Sequence, residues 1–131
     1  MFMKRQSVEI PGVHHTNPIP SASKIGPFLA SGSIFGKVPD KGGAFAEGPE
    51  AQAAVMFANI RRLMEAAGGS TDNILKLEVW VKEPAYRAIV NQQWLVMFPD
   101  EHSRPARHTF ITPDISPGGL MQCAVLAILP S

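Results

Sequence analysis

The chain has 131 residues, a length that suits a single domain with its own hydrophobic core. The formal net charge is +1, and acidic and basic residues are interspersed without a basic run, so the composition gives no support for nucleic-acid binding. A single cysteine excludes an internal disulfide and a cysteine-rich zinc site, and no stretch resembles a signal peptide or reaches the roughly 18 apolar residues of a membrane span. We expect one soluble, cytoplasmic domain over residues 1–131, with neither a membrane nor a nucleic acid as partner.

The first third of the chain is predicted to form strands and loops. Residues 8–10 predict a brief strand, and two prolines within residues 13–23 argue against a helix and for an extended surface segment. Residues 28–34 predict a second strand, in which Gly32 indicates either a bulge or a close approach of the backbone to another group. Residues 35–48 are rich in glycine and predict a loop.

A helix of about five turns is predicted in the middle of the chain. Apolar residues recur there at helical spacing, from Pro49 to the Gly68–Gly69 pair that is typical of a helix C-terminus. The apolar stripe consists of Met56, Ile60, Leu63 and Ala67. Gln52 and Asn59 fall off this stripe, on the face predicted to be polar.

A strand and a second helix follow. Residues 74–82 alternate between apolar and polar side chains, which predicts a half-buried strand with Trp80 on its outer face. Its inner face is predicted to carry Leu75, Leu77, Val79 and Val81. A helix is then predicted between Glu83 and Pro99. Its apolar stripe consists of Tyr86, Val90, Trp94 and Met97.

Arg107 differs from the other charged residues because its backbone is expected to be stiff. Pro105 fixes its own φ, and residues 109–111 favour a strand, so Arg107 should lie near the start of that strand. A guanidinium held in this way suits recognition of a carboxylate or a phosphate. The alternative is a surface arginine in an ordinary ion pair.

The last strand is predicted over residues 120–129. Both of its faces are apolar except for Gln122, so we expect it to be buried on both sides. Two helices cover only one face of the sheet, and another copy of the chain is the simplest cover for the second. The element order β-β-α-β-α-β-β predicts an α+β fold, a two-layer sandwich of a mixed sheet with two helices on one face.

Four motifs between Asn17 and Leu129 are specific enough to suggest a family. They are Ala30-Ser-Gly-Ser-Ile34, Glu65-Ala-Ala-Gly-Gly-Ser70, Leu77-Glu-Val-Trp-Val-Lys82 ahead of a helix with Asn91, and Arg104-Pro-Ala-Arg107. Through them the chain resembles the RidA/YjgF family of reactive-intermediate deaminases, once labelled endoribonuclease L-PSP. The resemblance implies a chorismate-mutase-like fold, a homotrimer around a central sheet barrel, and three sites at the clefts between subunits.

The resemblance also implies a reaction. The arginine that matches Arg107 holds the carboxylate of a 2-imino or 2-enamino acid, and water attacks the C=N carbon to release ammonia and leave a 2-keto acid. This chemistry suits the residues, because an imine hydrolyses readily and the protein mainly has to hold the carboxylate and place a water.

The chain departs from the family pattern at two positions. Gln122 occupies the position of the water-activating glutamate, and glutamine can orient a water or bind a substituent of the ligand but cannot take a proton. The family's tyrosine falls near Pro18, within a segment that reads His15-Thr-Asn-Pro-Ile-Pro20. These changes are consistent with action on a larger or aromatic-derived imine or enamine, or with a binding protein that has lost catalysis.

Four further residues are candidate contacts for the substrate. Ser31 matches the family's pocket serine, although a strand serine also commonly bonds a neighbouring backbone. Gly32 is expected to let a ligand approach the backbone amide, and a plain bulge is the alternative. Asn91 either faces the cleft or bonds the backbone of a loop. Thr109 shares a strand face with Arg107, so its backbone or hydroxyl is expected to complete the anion site.

The histidines do not predict a metal site. His14 and His15 are adjacent and point to opposite sides of an extended segment, and His102 and His108 add no recognised ligand spacing. We therefore predict neither a metal nor another cofactor. His15 or His108 is a candidate for the proton transfer that Gln122 cannot perform, and the alternative for each is a solvated or hydrogen-bonded imidazole.

Two functions remain open at this point. The first is a homotrimeric, cofactor-free hydrolase that deaminates a small carboxylate-bearing imine or enamine, with Arg107 and Gln122 as catalytic residues. The second is a non-catalytic binding or regulatory member of the same family. A ribonuclease has little support, because neither a basic groove nor a clear acid/base pair is visible.

Overall fold

The structure is a computed structural model that describes residues 3–130. The strands are β1 (Gln6–Val8), β2 (Ala22–Ile25), β3 (Phe28–Ser31), β4 (Ile34–Phe35), β5 (Ile74–Val81), β6 (Ala106–Ile111) and β7 (Met121–Ile128). The helices are α1 (Pro49–Ala66) and α2 (Tyr86–Met97), and a short 3₁₀ helix, Thr71–Asn73, precedes β5. The predicted domain bounds, 1–131, extend past the described residues at both ends.

The strands form one mixed sheet in the order β1-β2-β3-β7-β5-β6, and β4 continues alongside β7 beyond the end of β3. β5 and β6 are parallel, with α2 between them in the chain, whereas the other pairs are antiparallel. Both helices pack on one face of the sheet and against each other. This arrangement confirms the predicted α+β sandwich. The helices within residues 3–130 fall short, in length or in apolar content, of what a bilayer crossing requires.

The two faces of the sheet differ in their burial. The inner face, which lies against the helices, is buried, and in β5 and β7 it consists of Leu77, Val79, Val81, Met121, Cys123, Val125 and Ala127. On the outer face the single chain leaves Phe28 63% exposed, Leu126 41% exposed and Ile128 38% exposed. The single chain therefore buries only one side of β7. Burial of the second side requires another copy of the chain and stays a prediction.

The region before α1 contains four strands within residues 3–48, where the sequence predicted two. The extended segment before residue 28 contributes β2, which forms a hairpin with β3 across Gly26, a residue with φ of 56°. The strand predicted over residues 28–34 divides into β3 and β4, and β1 lies at Gln6–Val8 instead of residues 8–10. β2 is too short to show an alternating pattern, and its pairing with β1 and β3 makes it a strand.

Leu75 does not lie on the inner face with Leu77, Val79 and Val81, as the alternation predicts. The register of β5 against β7 shifts between Ile74 and Lys76, so a bulge lies at this point. Ile74 takes the inner position and is 7% exposed, whereas Leu75 is 57% exposed.

Two amides of α1 are buried although the helical pattern places them on the polar face. Gln52 is 3% exposed and Asn59 is 0% exposed, because both side chains bond the backbone of the loop that covers this side of the helix. Gly36 allows the loop to approach so closely, since a Cβ at Gly36 would lie 2.7 Å from the Cα of Gln52. These contacts fix the loop between β4 and α1.

Candidate functional site

Arg107 lies on the inner side of the edge strand β6, beneath α2. It pairs in register with Leu77, and Thr109 pairs with Val79, so both side chains point to the helix side of this parallel pair. The connection from α2 is held by Arg104, whose Nε donates to the carbonyl oxygen of Phe98 at 2.9 Å. The prediction that Arg107 lies near the start of a strand on well-held backbone is confirmed.

Three contacts define the environment of the Arg107 guanidinium. Its Nη2 donates to Oδ1 of Asn91 at 2.7 Å, and its Cζ lies 4.9 Å from the centroid of the Trp94 ring. Its Nη1 is buried and has no hydrogen-bond partner within residues 3–130. Burial lowers the pKa of Arg107, and the nearby positive charge of Arg87 lowers this pKa further.

This environment differs from an ordinary surface ion pair, which was the alternative for Arg107. Within residues 3–130 the one close contact between a basic and an acidic side chain joins Nε2 of His102 to Glu101, at 3.4 Å, and Arg107 has no carboxylate within 4 Å. A partly buried guanidinium with a buried unpaired N–H, beside a second positive charge, is suited to bind an anion through two parallel hydrogen bonds.

Asn91 is exposed on α2 and bonds the Arg107 side chain, not a loop backbone. Its side-chain carbonyl oxygen accepts one N–H of the guanidinium, so Asn91 fixes the orientation of this group and the Trp94 ring packs against it. Trp94 was assigned to the apolar stripe alone, and it indeed packs against the core. Trp94 follows Asn91 by three residues in the helix, so the two side chains are neighbours on its surface and can reach one partner. This spacing is the signal in the sequence that could have linked them.

Gln122 lies on the opposite side of the sheet from Arg107. It pairs in register with Phe35 of β4 and with Trp80 of β5, and Trp80 pairs with Phe110, so these four side chains form a row on the outer face. The single chain therefore does not bring Gln122 and Arg107 together. A site that uses both requires a second copy of the chain.

Ser31 and Gly32 lie where β3 ends, and their polar groups bond the chain itself. The hydroxyl of Ser31 accepts the backbone N–H of Val125 at 2.8 Å and donates to the carbonyl oxygen of Gly32 at 2.8 Å. The N–H of Gly32 donates to the carbonyl oxygen of Ser21 at 2.9 Å. The Ser31 hydroxyl therefore makes the backbone bonds of a strand serine, and the Gly32 amide is engaged within the chain in this conformation. The place of both residues in the site stays a prediction.

A cavity of about 220 Å³ lies beside Gly32, and we call it the Lys37 cavity. Its wall consists of His15, Thr16, Asn17, Ile19, Pro20, Gly32, Ser33, Phe35, Lys37 and Ser116. His15 is one of the wall residues, and its Nδ1 is buried without a hydrogen-bond partner in residues 3–130. Lys37 was not among the predicted site residues, because a lone lysine in a glycine-rich loop carries no motif.

The remaining candidates are dispersed. Pro18 lies with His14 and His15 in a neighbouring open depression. His108 lies on the outer face, with its ring centroid 5.4 Å from that of Phe110. Burial raises the pKa of the Cys123 thiol, in accord with a structural cysteine. Within residues 3–130, no three histidine, cysteine or acidic side chains converge as metal ligands would.

Solved structures with the same fold cover almost the whole chain. RidA from the Antarctic bacterium Psychrobacter is 23% identical with a TM-score of 0.86, and the match covers 95% of this chain and 99% of that one. A probable translation initiation inhibitor from Rhodopseudomonas palustris is also 23% identical, with a TM-score of 0.88 and coverage of 98% and 100%. A Yersinia pestis protein of unknown function, of the conserved Rid family, is 22% identical with a TM-score of 0.86 and coverage of 96% and 100%. These likenesses define a RidA-type fold.

The family model described as endoribonuclease L-PSP matches residues 20–129. The chain therefore belongs to the endoribonuclease L-PSP family, the RidA/YjgF group that its motifs resemble. Membership supports a general deaminase or small-molecule-binding role.

Proposed function

We propose that the protein hydrolyses a 2-imino or 2-enamino acid to a 2-keto acid and ammonia, in the cytoplasm, with Arg107 holding the substrate carboxylate. The observation that carries this proposal is the buried Nη1 of Arg107, which has no partner within residues 3–130. A carboxylate that accepts from Nη1 and a second N–H satisfies the guanidinium and neutralises a positive charge beside Arg87.

The reaction requires modest help from the protein. Water adds its oxygen to the C=N carbon while the nitrogen gains a proton, and the resulting carbinolamine expels ammonia and leaves the ketone; an enamine first takes a proton on carbon to become the imine. Gln122 orients the water, because its side chain both accepts and donates hydrogen bonds. The main contribution is to hold the substrate in one orientation, since the imine is already reactive.

We further propose that the working form is a homotrimer whose sites lie at the clefts between subunits. Arg107 and Gln122 face opposite sides of the sheet in one chain, so a site that uses both needs residues from two copies. The outer face supports this arrangement, since it exposes Phe28, Leu126 and Ile128 together on adjacent strands. In such a cleft, His15, Pro18 and Gly32 of one copy would line the wall opposite the Arg107 of its neighbour.

Ammonia release tests the proposal. Imino acids with small, branched and aromatic side chains are generated enzymatically, and ammonia release is followed with wild type, Arg107→Ala and Gln122→Glu. We expect wild type to accelerate release and Arg107→Ala to fall to the uncatalysed rate. Absence of acceleration with all three proteins would exclude imine hydrolysis.

A second function, non-catalytic binding of a small carboxylate, is favoured by one residue. Gln122 cannot take a proton, and no acidic side chain lies among the residues that line the neighbouring Lys37 cavity within residues 3–130. If wild type is inert and Gln122→Glu gains activity, the fold is competent and the natural protein is a binder or acts on another substrate.

A further inference from the structure

The Lys37 cavity has the composition of an anion subsite. Lys37 is the one lysine, arginine or acidic residue among its lining residues in the described part of the chain. Four neutral side chains of the wall can donate hydrogen bonds: Thr16, Asn17, Ser33 and Ser116. The wall also includes His15, whose Nδ1 is buried and has no hydrogen-bond partner within residues 3–130.

Lys37 is held in place at its side chain. Its Nζ lies 5.1 Å from the ring centroid of Phe35 and 5.3 Å from that of Phe45. The two rings meet edge to face, with centroids 5.9 Å apart. Phe45 is confined in turn, since a Cβ at Gly118 would lie 3.0 Å from its ring. The ammonium therefore has a fixed position, although lysine is usually the most mobile of the cationic side chains.

The backbone of Lys37 is held by one of the two buried amides of α1. Nδ2 of Asn59 donates to the carbonyl oxygens of Phe35 and Lys37, both at 2.9 Å. Gln52 bonds the far end of the same loop, at the carbonyl oxygen of Ala46, at 3.1 Å. Burial of amides costs free energy unless their hydrogen bonds are made, so this network specifies one conformation for the loop that carries Lys37.

The cavity adjoins the place where the reaction is proposed to occur. Phe35 lines the cavity and pairs directly with Gln122, and Gly32 lines it at the end of β3. Gln122 is neutral, so no negative charge at that position repels an anion bound beside Lys37.

We propose that the Lys37 cavity binds a second carboxylate of the substrate, at the end opposite the carboxylate that Arg107 holds. The substrates are then 2-imino or 2-enamino dicarboxylic acids, and the products are 2-keto dicarboxylic acids. This inference rests on the proposed function, in which Arg107 of a neighbouring copy faces the cavity across the cleft.

Calorimetric titration with stable keto acids tests the inference. The probes are 2-oxoglutarate and 2-oxoadipate, compared with 2-oxopentanoate and 2-oxohexanoate, which lack the second carboxylate. We expect wild type to bind the dicarboxylates about tenfold more tightly, as a hydrogen bond to a charged group allows. Lys37→Gln should abolish this preference without weakening the monocarboxylates, and Lys37→Arg should retain it.

Two matched variants separate the subsite from the proposed function. Lys41→Gln removes the same charge from an exposed position of the same loop and should keep the preference. Arg107→Ala should weaken both classes of keto acid. Equal binding of both classes by wild type, still dependent on Arg107, would overturn the subsite and leave the proposed function standing. A preference that persists in Lys37→Gln would also overturn the subsite, whereas no binding of any keto acid by wild type would overturn both.

Discussion

Arg107 and Ser31 are both polar strand residues that the family resemblance placed in the site, and their surroundings differ. The Ser31 hydroxyl is engaged twice within the chain, by the N–H of Val125 and the carbonyl oxygen of Gly32. Arg107 has one engaged nitrogen, and its buried Nη1 has no partner within residues 3–130. A polar group that the fold already satisfies stabilises the fold, whereas a buried donor that the fold leaves unpaired is suited to a ligand.

The largest expected effect comes from Arg107→Ala. We expect the affinity for 2-oxopentanoate to fall by about a hundredfold or more, because the ligand loses its charge-assisted pair with a partly buried guanidinium. The free energy of unfolding should change by less than about 1 kcal/mol, because loss of the Asn91 and Trp94 contacts is partly offset by removal of a half-buried charge. Calorimetric titration and urea unfolding measure the two quantities.

Arg87→Ala is the matched control for this variant. Arg87 is exposed on α2 and carries the same charge close to Arg107. It should weaken binding only slightly, and less so at high salt. Similar losses in the two variants would mean that general positive charge, and not the fork of Arg107, attracts the ligand.

Ser31→Ala should show the opposite pattern. Removal of the hydroxyl leaves the N–H of Val125 without its partner between β3 and β7, so the free energy of unfolding should fall by about 1–3 kcal/mol. Ligand affinity should stay close to that of wild type. Ser7→Ala, at an exposed strand position, is the control and should leave stability unchanged. If Ser31→Ala weakened binding while stability was kept, the distinction between the two residues would be lost.

Periodicity and motif together predicted the helices, the sheet class and the position of Arg107. They did not predict that Arg107 and Gln122 face opposite sides of the sheet. Alternation shows which residues of one strand share a face, but only the pairing of strands shows whether residues of two different strands lie on the same side of the sheet. The burial of Gln52 and Asn59 was missed for a related reason. Their partners are backbone groups of a loop, and a helical pattern does not reveal which loop crosses it.

Leu75 illustrates the same limit at the scale of one residue. The alternation from residue 74 onward was correct in period, but the bulge between Ile74 and Lys76 exchanged the faces at the start of β5. The fixed position of Lys37 was missed because it depends on two aromatic rings, and one of them, Phe45, lies further along the loop. Such contacts belong to the tertiary structure and have no local pattern.

The smallest expected effect tests whether Trp94 supports the guanidinium of Arg107. Its ring lies 4.9 Å from Cζ, and a contact of this kind contributes about 1 kcal/mol, so Trp94→Leu should weaken binding of 2-oxopentanoate roughly fivefold. Trp94→Phe, which keeps an aromatic face, should recover most of this loss. Titration of both variants measures the effect, and urea unfolding reports any loss of packing separately.

A double-mutant cycle decides whether Trp94 acts through Arg107 or only through the core. Trp94 also packs against the core and Phe98, so Trp94→Leu alone lowers stability whether or not it supports the guanidinium. If it acts through Arg107, Trp94→Leu has no further effect on the residual affinity of Arg107→Ala, because the group it supports is gone. If the two losses instead add, Trp94 affects the ligand independently of Arg107. The difference between Arg107 and Ser31 would then rest on the unpaired Nη1 and the Asn91 bond alone.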